Sequence, residues 1–370
     1  MKRVLITGGA GFVGAHLTKE LLTAGHSVHV LDNLCPQVHG PDQRRPVYLP
    51  ADAELMLGDV RDSAAVSRAL QRIDVVYHLA ARVGVGQSMY EIAEYTGVNN
   101  VGTAVLLEAL INSKVERVVV ASSMSIYGEG LYRNQEGKTY DAVERTAEQL
   151  RKHDWEPRGE DGEIISPCAT PENKRASCSS VYALSKFDQE RMCLTVARAY
   201  SIPVVALRFF NIYGPYQALS NPYTGVLAIF ASRLLNRKAP LINEDGAQKR
   251  DFVSVYDVAR ACRLAMEVEQ AAGSVFNVGS GSPYTILELA LRAAAALGRN
   301  IAPEVTGKYR VGDIRHCFAD LTRAQTVLGY QPQVALDEGL RDLAGWLDGQ
   351  ISYDRTAECF EELTSRGLMV

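Results

Sequence analysis

The N-terminal stretch VLITGGAGFVG, residues 4–14, constrains the fold more than any other part of the chain. A short apolar run leads directly into Gly8, Gly11 and Gly14, which have the spacing GxxGxxG and precede an amphipathic segment. Glycines at this spacing permit a tight turn, let the backbone approach a pyrophosphate, and let a helix pack closely on a strand. The N-terminus of that helix offers free N–H groups to a phosphate. The strand–turn–helix context therefore predicts a dinucleotide site.

Short β-like runs alternate with amphipathic segments over the first two hundred residues. The predicted strands are 4–6, 28–31, 54–57, 74–80, 117–122 and 203–209, and the predicted helices include 13–24, 62–71, 101–112 and 180–200. Strands rich in consecutive Val, Ile and Leu and separated by helices are typical of a parallel sheet that is covered on both faces. The pattern predicts the α/β class, with a Rossmann-type doubly wound parallel sheet.

The alternation is interrupted once and then becomes less regular. Residues 129–178 are polar and mixed in charge, which indicates a long insertion of the kind that often forms a functional lid. We expect a dinucleotide-binding domain over 1–210 and a smaller C-terminal substrate-binding lobe over 211–350, with some of its segments returning to the main domain and a tail over 351–370. Helices are expected in the lobe near 225–236, 256–270, 285–298 and 336–348.

Composition argues against several classes of protein. The net charge is −4 and no basic stripe is present, which disfavours a nucleic-acid binder. No apolar run reaches the roughly 18 residues of a membrane span, so we expect no membrane partner. The seven cysteines are scattered without a CxxC pair, which predicts no metal site and a cytoplasmic location.

Asp32 ends the second predicted strand, where a carboxylate can accept both hydroxyls of an adenosine ribose and repel a 2′-phosphate. This position favours NAD over NADP. The alternative is a turn formed by Asp32 and Asn33. Asp59 and Val60 follow the third strand and are expected to hold the adenine, although alone they would be an ordinary turn.

Tyr182 and Lys186 stand four positions apart in SSVYALSK, residues 179–186. This spacing places them on one helix face in any protein, and by itself it favours two surface neighbours. A phenol has a pKa of about 10, so a tyrosine that acts as a base near neutral pH needs positive charge beside it. The rest of the chain has to decide between the two interpretations.

An ordered set of motifs resembles the extended short-chain dehydrogenases/reductases, and more narrowly the NAD-dependent nucleotide-sugar epimerases and dehydratases. The motifs are the glycine turn, Asp59-Val60, His78-Leu79-Ala80-Ala81, Asn99-x-x-Gly102-Thr103, Ser122-Ser123, Tyr182-x-x-x-Lys186 and Arg208-Phe209-Phe210-Asn211. The resemblance covers roughly residues 1–347 and leaves the tail and most of the insertion unexplained. It implies NAD as cofactor and a nucleotide-diphosphate sugar as substrate.

The resemblance also implies roles for individual residues. The catalytic set is Ser123, Tyr182 and Lys186, in which Tyr182 moves the proton, Lys186 lowers its pKa and holds the nicotinamide ribose, and Ser123 hydrogen-bonds the reacting sugar oxygen. The cofactor set is Gly8, Gly11, Phe12, Val13, Gly14, Asp32, Asn33, Asp59, Val60, Leu79, Ala80, Ala81, Asn99, Ser122, Tyr182, Lys186 and Phe210. The substrate set is Ser123, Asn211, Asn221, Val226, Arg250 and Arg310.

Some of these assignments have plain alternatives. Ser122, Ser123 and Ser125 could simply cap or turn the chain, and Ser125 is the next candidate for the role given to Ser123. A single arginine is more often a solvated surface charge than a diphosphate ligand. The sequence also departs from its relatives at Tyr216, where they commonly carry Arg, which puts one sugar or phosphate contact in doubt.

The residues after Ser123 discriminate between reactions. Dehydratases of this kind carry an Asp-Glu pair there, whereas this chain has Met124-Ser125. The resemblance therefore implies 4-epimerisation through transient C4 oxidation, rotation of the keto sugar and re-reduction. Four stretches (VGVGQSMYEI, ASSMSIYGEG, SNPYTGV and YRVGDIRHCFAD) resemble enzymes that act on dTDP-L-rhamnose. UDP-glucose or UDP-glucuronate 4-epimerisation, a nucleotide-sugar 4-ketoreductase or dehydrogenase, and a non-catalytic dinucleotide sensor remain alternatives.

The resemblance has two further implications. Relatives commonly form a homodimer through two helices, which correspond here to 101–112 and 180–200. The insertion lies in the chain between Ser123 and Tyr182, so we expect it to act as a substrate lid.

Overall fold

The computed structural model of the protein describes residues 1–223 and 225–370. Thr224, which stands between the predicted substrate residues Asn221 and Val226, lies outside the described residues.

The described strands are β1 (Arg3–Thr7), β2 (Ser27–Asp32), β3 (Glu54–Leu57), β4 (Val75–His78), β5 (Arg117–Ser123), β6 (Leu131–Arg133), β7 (Thr139–Tyr140), β8 (Ser166–Cys168), β9 (Val204–Phe209), β10 (Asn211–Tyr213), β11 (Leu241–Ile242), β12 (Lys249–Ser254), β13 (Val275–Val278), β14 (Pro283–Thr285), β15 (Glu304–Val305) and β16 (His316–Cys317). The described α-helices are α1 (Phe12–Thr23), α2 (Pro36–His39), α3 (Ser63–Ala69), α4 (Val85–Ser88), α5 (Ile92–Tyr95), α6 (Gly102–Ile111), α7 (Ala147–Arg151), α8 (Val181–Tyr200), α9 (Val226–Leu235), α10 (Val255–Glu267), α11 (Ile286–Ala296), α12 (Leu336–Leu347) and α13 (Thr356–Ser365). A π-helical turn, Thr96–Val101, joins α5 to α6. No helix in these residues is long and apolar enough to cross a bilayer.

Seven parallel strands form the central sheet, in the order β13-β9-β5-β4-β1-β2-β3. One face packs on α1 and α10 through residues such as Leu17 and Cys262, and the other packs on α3, α6 and α8 through residues such as Leu106 and Leu194. The predicted doubly wound parallel sheet is confirmed. The seventh strand, β13, was not predicted, because its four residues pair with β9 from far along the chain.

Parallel strands bring their carboxyl ends to one edge of the sheet, and this edge collects the predicted motifs. Thr7 pairs with His78 in register, and Ser123 pairs with Phe209. The segments that follow these strands, including the glycine turn, therefore emerge side by side. Ligands of doubly wound sheets bind at this edge.

Polar residues at the helix starts explain where two of the site helices begin. Ser180 is the N-cap of α8, and its Oγ accepts a hydrogen bond from Ala183 N at 3.1 Å. Asp62 caps α3 by accepting from Ala64 N at 2.9 Å. Such caps satisfy N–H groups that have no partner within the helix, and the cap at Ser180 fixes the first turns of α8, which carry Tyr182 and Lys186.

The smaller C-terminal part combines a mixed sheet with three helices. Strand β12 pairs in parallel with β10 and β16 and in antiparallel with β14. Helices α9, α11 and α12 bury residues such as Phe230, Leu289 and Leu340 against this part of the chain. This part faces the carboxyl edge of the central sheet.

The insertion is folded, although its polar sequence had suggested an irregular segment. Strands β7, β6 and β8 form a small antiparallel sheet. Tyr132, Tyr140, Val143 and Ile165 make its buried core. A few aromatic and aliphatic side chains thus suffice to order a stretch whose average composition is polar.

Candidate active site

A cavity of about 630 Å³ lies between the carboxyl edge of the central sheet and the C-terminal part. Its wall contains every predicted site residue except Asn99: Gly8, Gly11, Phe12, Val13, Gly14, Asp32, Asn33, Asp59, Val60, Leu79, Ala80, Ala81, Ser122, Ser123, Tyr182, Lys186, Phe210, Asn211, Asn221, Val226, Arg250 and Arg310. These residues come from distant parts of the chain, so their convergence on one cavity is a finding of the structure.

The glycine turn is packed too tightly for side chains. Gly8 has a φ of +73°, and a Cβ there would lie 2.7 Å from Ala80 N. A Cβ at Gly14 would lie 2.5 Å from the Cα of Gly9. These close approaches bring the N-terminus of α1 and the turn against the segment that follows β4. The result is the cradle of backbone N–H groups that a pyrophosphate requires.

Asp32 forms the turn that the sequence offered as an alternative and also lines the cavity, while its ribose contact stays a prediction. Its Oδ2 accepts a hydrogen bond from Ala10 N in the glycine turn at 3.0 Å, and its Oδ1 accepts from Leu34 N at 2.9 Å. The second contact is an Asp turn, while the first ties the end of β2 to the phosphate cradle. The carboxylate lines the cavity where a ribose would lie.

Asp59, which is predicted to hold the adenine, lines the cavity and is paired with Arg61. Arg61 donates to both carboxylate oxygens, at 2.9 and 2.8 Å, and Asn33 Nδ2 donates to Oδ2 at 3.1 Å. The hydrogen bonds from Arg61 lower the pKa of Asp59 to about 2. Arg61 was not singled out from the sequence, since a lone Asp-x-Arg triplet carries no specific signal.

Ser123, Tyr182 and Lys186 all line the cavity. Ser123 ends β5, and its Oγ accepts hydrogen bonds from Ser125 N at 3.2 Å and from Ser125 Oγ at 2.9 Å. Ser125 therefore supports Ser123 rather than competing with it. Burial raises the pKa of Tyr182, and a hydrogen bond with Ser123 opposes that rise. The protein side chains alone thus favour the neutral phenol, and a phenolate needs additional positive charge nearby.

Lys186 is buried, and burial lowers its pKa to about 8. Its Nζ donates to Gln189 Oε1, one turn further along α8. Gln189 Nε2 in turn contacts His78 Nε2 at 2.9 Å and Thr103 Oγ1 at 2.8 Å. Burial lowers the pKa of His78 to about 3, so the ring is neutral. This network holds Lys186 in place without a carboxylate partner, and sequence reasoning did not find Gln189.

Asn99 is not part of the cavity wall, and its cofactor contact stays a prediction. Its Oδ1 accepts from Arg82 N at 2.7 Å, and its Nδ2 donates to Arg82 O at 3.1 Å and to Ser185 Oγ at 2.9 Å. The buried amide therefore has its hydrogen-bonding groups occupied. It ties the segment after β4 to α8 and so positions both walls of the site.

Behind the sheet edge, Ser122 joins a buried charge cluster. Ser122 Oγ donates to Glu190 Oε2 at 2.6 Å, and Arg208 donates to the two oxygens of Glu190 at 2.6 and 2.9 Å. Arg208 also donates to the Tyr127 hydroxyl at 2.9 Å. The ion pair links α8 to β5 and β9 directly beneath Ser122 and Ser123.

The part of the cavity wall formed by the C-terminal residues contains two arginines, Arg250 and Arg310, and several polar atoms that have no hydrogen-bond partner in the described chain. Arg250 Nη1 donates to the carbonyl oxygens of Lys249 and Arg315, at 3.0 and 2.8 Å, so part of this guanidinium is already occupied by backbone. Among the described residues, seven buried side-chain atoms on the wall lack a hydrogen-bond partner: His39 Nδ1, Arg82 Nε, Asn211 Oδ1, Gln217 Oε1, Asn243 Oδ1, Gln248 Oε1 and Arg310 Nε. Buried polar atoms are nearly always paired, so this group fits a polar ligand. The sequence did not indicate Gln217, Asn243 or Gln248.

Tyr216, the position where relatives commonly carry Arg, is turned away from the cavity. Its ring stacks between His16 and Tyr48, with ring centroids 4.9 and 4.7 Å apart. This aromatic stack packs the loop that carries Tyr216 onto α1.

The insertion does not supply the expected lid. Among the described residues, none of 129–178 lines the cavity. Arg145 instead pairs with Glu244 at 2.8 Å and donates to Asp313 O at 2.9 Å. The insertion thus braces the outside of the loop that presents Arg310.

Comparison with known proteins identifies the family. The model of the NAD dependent epimerase/dehydratase family matches residues 4–150 and 159–279, which is more than half of the chain. The chain belongs to this family. Because the family is NAD-dependent, the predicted cofactor is confirmed.

Individual relatives agree with this assignment. A dTDP-L-rhamnose 4-epimerase of Burkholderia thailandensis is 36% identical over 94% of this chain and 95% of its own length. The crystal structure of a UDP-glucose 4-epimerase from Thermotoga maritima, with UDP-glucose, is 30% identical, covers 94% of this chain and 99% of its own, and has a TM-score of 0.76. A UDP-glucuronic acid 4-epimerase from Bacillus cereus, in complex with UDP-glucuronic acid and NAD, is 27% identical over 94% of this chain and 99% of its own, with a TM-score of 0.74. These relatives support the predicted activity class, an NAD-dependent nucleotide-sugar 4-epimerase.

Proposed function

We propose that the protein inverts C4 of dTDP-L-rhamnose, with Ser123, Tyr182 and Lys186 as its catalytic residues. The observation that carries the proposal is the convergence of these three residues with the phosphate cradle and the unpaired polar atoms on one cavity. The similarity to the Burkholderia enzyme supports the choice of nucleotide and sugar.

When bound, NAD would supply a hydride acceptor for C4 and the donor for its re-reduction. The residues that would hold it are those of the glycine turn together with Asp32, Asp59 and Lys186. The close-packed glycines and the carboxylate of Asp32 fit this cofactor.

The proton of the sugar 4-hydroxyl goes to Tyr182 Oη as C4 is oxidised, and the same atom returns it when C4 is reduced again. Lys186, which is largely protonated at neutral pH with a pKa of about 8, contributes positive charge on the same face of α8. Ser123 Oγ donates to the reacting oxygen, while its contacts with Ser125 hold it in place. The polar end of the cavity, around Arg310, binds the diphosphate.

The described wall offers no acid/base pair for dehydration next to Ser123. Met124 and Ser125 follow it and both line the cavity. The carboxylates on the described wall belong to Asp32, Asp59, Glu94 and Asp313, and the first two serve the cofactor end. Epimerisation needs only the three proposed catalytic residues and NAD.

The proposal is tested by incubating purified protein with dTDP-L-rhamnose, UDP-glucose and UDP-glucuronate without added cofactor and following the C4 configuration by NMR. We expect inversion of dTDP-L-rhamnose with the highest kcat/KM. A preference for either UDP-sugar would contradict the substrate assignment and leave the reaction class intact.

We also propose a homodimer and a cytoplasmic location. Val101 and Leu184, on or beside the two helices predicted to pair, are each 51% exposed and would be covered in such a dimer. All seven cysteines are free, as expected in a reducing compartment. Light scattering of the wild type and of Leu184→Glu tests the dimer, which the variant should dissociate; a monomeric wild type would contradict it.

A further inference from the structure

Helix α13 lies in the tail that the family resemblance leaves unexplained, and one of its faces lines the cavity. Thr356, Cys359, Phe360 and Leu363 stand at positions i, i+3, i+4 and i+7, which share one side of a helix, and all four belong to the cavity wall. Cys359 and Leu363 are buried, and Phe360 is partly buried. The helix therefore uses its apolar side to close a ligand cavity.

One end of this face lies close to the reacting residues. A Cβ at Gly86 would lie 3.2 Å from Leu363 Cδ2, so α13 packs directly on α4. In the same short helix, Ser88 Oγ accepts a hydrogen bond from Tyr182 N at 3.0 Å. Helix α13 is thus connected to Tyr182 through a single intervening element.

The residues that follow α13 pair with the loop that carries Arg310. The chain after α13 forms an antiparallel bridge between Met369 and Arg310. Tyr309 N donates to Val370 O at 2.9 Å, and Val370 N donates back to Tyr309 O at 3.0 Å. The α13 segment is thus connected to both Tyr182 and Arg310, the two ends between which the sugar of the proposed substrate would lie.

This part of the wall has little to offer a polar substituent. Beside Cys359, Phe360 and Leu363 it contains Val83 and Tyr223, and the Tyr223 hydroxyl is already hydrogen-bonded to Tyr90 Oη at 2.5 Å. A sugar hydroxymethyl or carboxylate buried here would lose hydrogen bonds to water without replacing them.

Arg82 also lines the cavity. One of its Nη atoms donates to Glu91 at 3.1 Å and to Gln37 at 2.7 Å, whereas its buried Nε has no partner among the described residues. Because Glu91 already pairs with this guanidinium, a carboxylate on the sugar would have to compete with Glu91 for its charge.

We propose that α13 is the specificity element of the sugar site, where Cys359, Phe360 and Leu363 receive the C6 methyl group of a 6-deoxyhexose. The inference rests on the proposed 4-epimerisation and deepens it by assigning the basis of sugar choice to the C-terminal tail. Hexoses that carry a hydroxyl or a carboxylate at C6 are discriminated against by the same apolar contacts.

The test compares dTDP-L-rhamnose with dTDP-L-mannose, which differs only by a hydroxyl on C6. We expect wild-type kcat/KM to favour the 6-deoxy sugar by roughly 10- to 100-fold, the discrimination typical of an apolar pocket. Phe360→Ser should reduce this ratio about tenfold, and Cys359→Ser, which is isosteric, should reduce it by less. Glu361→Ser, at an exposed position of the same helix, is the matched control and should keep the wild-type ratio.

Each result bears on a different claim. Unchanged ratios in Phe360→Ser and Cys359→Ser would overturn the inference while leaving the epimerase function in place. If Phe360→Ser does not fold, as judged by its thermal unfolding, the isosteric Cys359→Ser decides the question. Failure of the wild type to invert dTDP-L-rhamnose would overturn the proposed function and this inference with it.

Discussion

Replacing Glu190 with alanine tests whether the buried ion pair beneath the reaction centre supports both the fold and the site. The Glu190 side chain is 1% exposed and that of Arg208 is 8% exposed, and their closest atoms are 2.6 Å apart. Removal of Glu190 leaves the Arg208 cation buried with only the Tyr127 hydroxyl and the Glu172 carbonyl as partners. Breaking a buried pair in this way costs about 3–5 kcal/mol of unfolding free energy.

The same substitution should lower activity. Ser122 Oγ loses its acceptor on Glu190. Ser122 precedes Ser123 at the end of β5, and Ser123 is the residue proposed to hydrogen-bond the reacting sugar oxygen. We expect kcat to fall roughly 10-fold or more, since misplacement of a catalytic group by about 1 Å can cost 100-fold.

The assay is urea unfolding followed by circular dichroism, together with steady-state inversion measured under conditions where the variant is folded. Glu361→Ala is the matched control, because this glutamate is exposed, and it should change unfolding free energy by less than about 0.5 kcal/mol. If Glu190→Ala lowers the unfolding free energy by less than about 1 kcal/mol, the claim that this ion pair is buried away from water is refuted.

Three further predictions concern single side chains. Tyr182→Phe should abolish inversion while NAD affinity, measured by titration calorimetry, stays within about threefold of wild type; full activity would remove Tyr182 from the mechanism. Lys186 has a folded pKa of about 8, below its ordinary 10.5, so the wild type should gain stability as pH rises from 8 to 10.5 relative to Lys186→Met; parallel urea-unfolding curves against pH would contradict this. The hydrogen bond with His316 helps lower the pKa of Glu156 from 4.5 to about 2. The unfolding free energy of the wild type should therefore fall as pH drops from 4.5 to about 2, and that of Glu156→Gln should fall less. An equal fall in both proteins would contradict the claim that this hydrogen bond holds the insertion in place.

The central sheet and most of the cavity could be predicted because their signals are local. Asp32, Ser123 and Tyr182 each stand at a fixed offset from a strand or a helix start, and parallel strands bring such positions to one edge. Strand β3 was predicted at its observed bounds, 54–57.

The features that the sequence did not reveal have a common physical cause, which is contact between distant segments. Asn99 matches its motif, but its amide is occupied by Arg82 and Ser185. Gln217 and Gln248 become site candidates only because folding leaves their oxygens without partners. The insertion was expected to cover the substrate, and its polar composition did not reveal that Arg145 anchors it to Glu244 on the opposite side of the loop.

Helix α13 shows the same limit. Its apolar residues have a helical period, which predicts an amphipathic helix but not the surface that it covers. Only the pairing of Met369 with Arg310 and the packing of Leu363 on Gly86 place it over the cavity.

The most direct test of the proposed reaction is the fate of the hydrogen on C4. We expect dTDP-L-rhamnose deuterated at C4 to give the inverted sugar with the deuterium still on C4, without added cofactor and without accumulation of NADH, because Tyr182 moves only the proton of the hydroxyl. Loss of the deuterium to solvent, or NADH formed in proportion to sugar consumed, would contradict redox-neutral 4-epimerisation.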